Sequence, residues 1–343
     1  MKSIKDFNPN AISRKKLVVD GIMVGIVSGF CSVSYRLALQ YISHFRFKFL
    51  SDLSDSKIYI WFGILLISSF IVHLLLKFEP MSSGSGIPQI QGEMHGVFDT
   101  DSKKIILSKF VGGSLASLGG LSLGREGPSI QIGANAAKIW AKLMKRTPSE
   151  TGAIMSAGAS AGLSAAFNAP ISGVIFVLEE LHKTYSSLLL IPALVAAVVA
   201  DFISKNIFGL APAFHFEVAE VIQLSDYYHL LIFAIIAALI GILFNHTLLK
   251  VQDIFNAIKI KKPIVLAFVF CVSGLIAIYT VDLSGGGHSL IESLLNADKA
   301  FSLLIILLVG KLLFTSFCYG SSVQGGIFFT RIGTWRIGRK YIF

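Results

Sequence analysis

Apolar residues run along this chain in stretches of roughly helical length, and small or polar residues cut in between them. The stretches cover residues 17–42, 58–76, 105–121, 130–143, 151–166, 171–181, 187–203, 228–249, 263–281 and 300–317. At about 1.5 Å per residue, several fall short of the ~30 Å hydrocarbon layer of a bilayer. Glycine, proline, serine or asparagine bound the short ones, at 82–88, 124–128, 168–170, 284–287 and 320–326. Interrupted backbone is tolerated at membrane depth only where protein covers it or water reaches it. The pattern predicts an all-α integral membrane protein, a bundle of tilted and broken helices whose half-helices end around a central site. Small-residue runs at 112–120 and 157–166 predict close helix packing.

Composition settles the class and removes several others. Of 343 residues, 54% are hydrophobic and 15% charged, with mean hydropathy +0.71; a soluble domain does not need so much apolar surface. Residues 1–16 carry Lys2, Lys5, Arg14, Lys15 and Lys16 ahead of a long apolar run, which reads as a cytoplasmic tail before a retained helix. The net charge of +10 then reflects positive cytoplasmic loops rather than a nucleic-acid surface. Cys31, Cys271 and Cys318 lie far apart in apolar sequence, and the eight histidines lack metal-ligand spacing. We read them as packing or interfacial residues, and expect no metal, no cofactor and no enzyme.

Three glycine-containing breaks carry the chemistry. Gly84-Ser85-Gly86-Ile87-Pro88 sets a serine and free amides before a helix that proline can start. Gly124-Arg125-Glu126-Gly127-Pro128 repeats the arrangement, and Gly325-Gly326-Ile327-Phe328 offers a third set of amides. Helix N-termini favour anions, so three such ends suggest a dehydrated anion held by dipoles and hydroxyls; a single one would be a plain cap. Glu126, taken alone, fits either an interfacial loop acid or a carboxylate facing an ion path. Glu179-Glu180, beside His182 and Lys183, likewise fits an acidic pair at a helix end.

Together the three motifs, in this order, resemble the CLC family of chloride channels and chloride/proton exchangers. Lys109 before the glycine run, Asn168-Ala169-Pro170, Glu179-Glu180 and Gly285-Gly286-Gly287 add to the match, which covers about 17–328. The resemblance implies that Ser85 coordinates a central chloride with the amides around Gly86, Ile87, Ile327 and Phe328. It implies that Glu126 is the external gate, exchanging place with chloride and taking up a proton, and that Glu180 is the internal proton-transfer group. A carboxylate near a bound anion is driven toward its neutral form by repulsion and desolvation, which couples the two ions. The implied fold has two inverted membrane repeats, 17–206 and an incomplete 207–328. The implied partners are chloride, the lipid bilayer and a second copy in a homodimer, with a bacterial inner membrane as location. A passive chloride channel is the alternative activity, and a non-transporting fragment the alternative outcome.

The chain departs from the family after Phe328. Residues 329–343 place Arg331, Arg336 and Arg339 where an apolar helix is expected, each costing about 2.5–3.5 kcal/mol at mid-membrane. Codons for this peptide can be chosen so that reading one base later yields a proline in the place of Thr330 and then an apolar run. The expectation is therefore a one-base shift near the codons of Phe328 and Phe329, a basic tail outside the membrane, and weak transport by the chain as written.

Overall fold

A computed structural model describes residues 14–52, 54–210, 223–287, 290–291 and 301–327. Phe328, the basic tail 329–343 and most of the N-terminal segment lie outside the described residues. Those described form α1 (Arg14–Ser51), α2 (Asp55–Phe78), α3 (Ile87–Met94), α4 (Ser102–Leu118), α5 (Glu126–Leu143), α6 (Pro148–Phe167), α7 (Pro170–Phe176), α8 (Ser187–Phe208), α9 (Tyr227–Ala257), α10 (Lys262–Tyr279) and α11 (Phe301–Gly320). Six of them are long and apolar enough to cross a membrane, so the chain is a multi-pass, all-α membrane protein. Among the described residues the β-type pairing is a single bridge, Gly124 with Gly326.

Several elements differ in extent from the apolar runs. The first helix continues past residue 42 to Ser51, because its last turns bury polar Arg46 inside the protein instead of ending at an interface. Helix α5 begins at Glu126, four residues before its apolar run, with Pro128 seated in its first turn. The run 171–181 is regular only to Phe176 and widens into a π-helical turn over Val177–His182. Proline near the start of α3, α6 and α7 pre-sets helical backbone where a donor would go unused anyway.

Packing follows the small residues. A Cβ on Gly133 of α5 would lie 3.1 Å from Gly162 Cα of α6, so these two helices meet backbone to backbone. Gly21, Gly25 and Gly29 form a stripe on α1 against α8; a Cβ on Gly25 would lie 2.7 Å from Val199 Cβ, and one on Gly29 2.9 Å from Ala200 Cα. Helices α5 and α6 are thereby almost wholly buried. Around them, α2, α8, α9 and α11 expose residues such as Ile67, Phe202, Phe233 and Ile306, the surface that lipid chains cover.

Charge gives the orientation. Lys16 pairs with Glu150 at 2.9 Å and Arg146 with Asp20 at 2.7 Å, fastening the start of α1 to the α5–α6 turn. Lys15, Lys142 and Lys145 gather at the same end, which the excess of basic residues assigns to the cytoplasm. Nearby, buried Lys138 pairs with Glu93 and, at 2.5 Å, with Asp99, tying the α3–α4 loop to α5. The far half of α1 therefore lies toward the outer face.

Candidate anion site and its approaches

The three motif breaks, up to 242 residues apart, converge on one junction. Gly124 and Gly326 exchange both backbone hydrogen bonds, at 2.7 and 2.8 Å, and the Gly325 amide donates to Gly84 O at 3.1 Å. Each contact depends on an absent side chain. A Cβ on Gly127 would lie 2.6 Å from Ser85 O and 3.0 Å from Ser85 Cα, and one on Gly326 would lie 2.6 Å from the Gly127 amide nitrogen. Gly86, at φ +88°, caps α3 with its Cα pressed on Gln131; only glycine adopts that backbone without strain.

Of the residues the sequence singled out, Ser85, Gly86, Ile87, Glu126 and Ile327 lie at this junction, while Glu180 lies apart and Phe328 outside the described residues. Ser85 is buried, and its hydroxyl accepts from the Ile87 amide at a long 3.4 Å. Ile87 opens α3, Gly86 precedes it, and Ile327 is buried beside the junction. Glu126 opens α5 with its carboxylate against Gly124, and it lines a cavity of about 350 Å³ on the outer side. Glu180 is not among the cavity's lining. It sits half-buried in the π-helical turn, where its carbonyl accepts from Gln91 Nε2 at 2.7 Å. Gln91 stands four residues after Ile87 on α3, about 6 Å along the axis. One short helix thus presents the Ser85 motif at its start and anchors the Glu180 segment one turn later, while Glu126 faces the cavity.

Buried polar residues to which the sequence analysis gave no structural role hold this arrangement. Lys109, fully buried on α4, donates to Ser82 O at 2.9 Å and Gly84 O at 2.7 Å. Lys311 on α11 repeats the device, donating to Leu283 O at 2.8 Å and Gly285 O at 2.6 Å. Gln131 donates to Met81 O at 3.0 Å and Gln324 to Ser82 Oγ at 3.3 Å. A lysine or glutamine inside an apolar helix is the available signal for such groups, since burying it requires partners; it names the residue without naming the partner.

A membrane bundle in which broken helices bring three glycine loops together around a buried serine has the architecture of an ion transporter. Comparison with known proteins supplies the family. The family model described as voltage gated chloride channel matches residues 63–332. The H(+)/Cl(-) exchange transporter ClcA of Vibrio vulnificus is 31% identical over 89% of this chain and 68% of its own length. That of Citrobacter koseri is 31% identical over 91% of this chain and 68% of its own length. The solved structure of a slow cyanobacterial Cl−/H+ antiporter superposes with TM-score 0.85 at 28% identity, covering 96% of this chain and 80% of that one. A CLC-type fluoride/proton antiporter shares the fold at TM-score 0.76 and 22% identity, over 91% of this chain and 77% of that one. The chain belongs to the voltage gated chloride channel family.

Proposed function

We propose that this chain exchanges chloride for protons across a bacterial inner membrane, working as a homodimer. Chloride is held by Ser85 and by the amides around Gly86, Ile87, Ile327 and Phe328. Glu126 gates the outer approach and carries the proton there, and Glu180 passes protons to the inner solution. The observation that carries the reading is the junction itself: three amide-rich loops packed on one another, with Gly127 against Ser85 and Glu126 one residue before it. An anion arriving at Ser85 raises the cost of charge on Glu126, so chloride entry and proton uptake become one event. The names of the relatives support exchange in preference to passive conduction.

The test is reconstitution of the 343-residue chain in chloride-loaded liposomes, with chloride efflux and proton uptake recorded together. We expect both ions to move in opposite directions. Glu180→Gln should abolish proton uptake while leaving chloride movement, and Glu126→Gln should remove its pH sensitivity. Chloride efflux with no proton movement in the unaltered chain would establish the channel reading instead. No flux of either ion would sink the proposal for this chain.

A further inference from the structure

The outer cavity is much larger than chloride needs. Its volume of about 350 Å³ is roughly ten times the ~30 Å³ that a water occupies, an ion of similar size included. Its walls come from the outer half of α1, the end of α4, the loop before α5 and residues 284–287 and 324–325. Arg36, Arg46 and Arg125 line it together with one carboxylate, Glu126. Lys311 lies close enough to Arg46 and Asp282 to interact with both by charge. Among the described residues, four cations face two carboxylates, an excess of two positive charges there.

Arg46 is built into the wall. It is buried, its Nη1 donates to Ser117 O, and its Nη2 sits over Gly285. A Cβ on Gly285 would lie 3.1 Å from Nη2 and one on Gly120 3.6 Å from Nη1; both glycines have positive φ, at +70° and +74°. The two turns thus leave a slot for the guanidinium plane. Arg36 is committed elsewhere through Nη1, which donates to Ala165 O, Asn168 Oδ1 and Ser204 Oγ at 2.9–3.1 Å. Its Nε is buried with no hydrogen-bond partner, so it contributes charge that its own bonds do not neutralise.

We propose that the outer cavity binds a doubly charged tetrahedral oxyanion, of which sulfate is the simplest, with Arg46 as its principal ligand. Two net positive charges match a dianion, the volume holds it with some of its water, and the guanidinium fork pairs with two oxygens where a spherical halide takes only one direction of it. Such an anion, larger than chloride and doubly charged, stays in the outer cavity and does not follow chloride to Ser85. Bound there it stands between the outer solution and Glu126, so it inhibits chloride entry; this inhibitory half rests on the exchange reading, and the binding half does not.

Calorimetric titration of sulfate into the detergent-purified full chain at low ionic strength tests binding without any transport. Saturable binding to one site is expected, weakened about tenfold or more in Arg46→Gln. Arg46→Lys keeps the charge and loses the fork, so a several-fold loss is expected there too, and it decides the matter if Arg46→Gln does not fold. Ser85→Ala, at the junction, and Lys57→Gln, in the first turn of α2, should bind sulfate as the unaltered chain does. Absence of saturable binding, unaltered affinity in both Arg46 variants, or loss in Ser85→Ala would overturn the proposal. In liposomes, external sulfate should slow chloride efflux from the unaltered chain more than from Arg46→Lys. If no chloride moves at all, the exchange reading fails while the calorimetric result still decides the site.

Discussion

Replacing Lys109 with methionine separates what the junction needs for stability from what it needs for charge. Methionine keeps the length of the stem and removes the ammonium. Gly84 O retains the Gly325 amide at 3.1 Å, whereas Ser82 O loses the 2.9 Å donor from Lys109. An orphaned buried carbonyl costs about 1–3 kcal/mol, offset in part because a buried cation no longer has to be desolvated. The fold should therefore survive with a modest loss of thermal stability. The effect on the anion is larger. Nζ is 2.7 Å from Gly84 O, and one further residue of about 3.8 Å puts an anion at Ser85 about 7 Å away. At an effective dielectric of about 20 that separation is worth about 2 kcal/mol, or roughly thirtyfold in dissociation constant. Calorimetric chloride titration of the Lys109→Met protein, alongside its thermal unfolding, measures both quantities. Chloride affinity equal to that of the unaltered chain, in a protein that unfolds normally, would refute the view that Lys109 supplies charge to the site. Lys109→Ala should add a cavity cost of about 2–5 kcal/mol and unfold at a clearly lower temperature than Lys109→Met.

Two further outcomes follow from the packing and the surface charges. Gly127→Ala places a Cβ 2.6 Å from Ser85 O, a backbone clash that side-chain movement cannot relieve; we expect about 1–3 kcal/mol of destabilisation and loss of measurable chloride binding, checked by calorimetry on protein whose helicity is confirmed by circular dichroism. Asp99, at the cytoplasmic end, has its carboxyl held below the ordinary value of 3.8 by the hydrogen bond from Lys138. A depressed carboxylate stabilises fully above its unfolded-state value and stops doing so as pH falls through the folded one. Thermal unfolding of the unaltered chain and of Asp99→Asn should therefore differ at pH 6, the difference shrinking once pH falls below about 4 and vanishing only below the depressed folded value; a difference unchanged down to pH 3 would contradict the pairing.

Much of this protein was legible in one dimension. Long apolar stretches broken by glycine and proline sufficed for a multi-pass helical membrane protein, because a bilayer leaves the backbone few other solutions. The three motif breaks marked the residues proposed for the site, Ser85, Gly86, Ile87, Glu126 and Ile327, since glycines and a serine ahead of a helix start announce free amides in the sequence itself. Tertiary structure decided what those local features meet. Nothing near Gly124 indicates that its amide pairs with Gly326, 202 residues on, because glycine permits close approach without naming the partner. Glu180 meets the helix of the anion motif through Gln91, and the π-helical turn that carries it has no pattern distinguishing it from a regular helix. Arg36 and Arg46 sit on the same long helix, so helical periodicity can say that they turn inward, but not that they share a cavity with Gln324, which lies past the end of α11. Sequence specifies which groups must be buried or left unpaired; only the chain's path through space determines which of them satisfy one another.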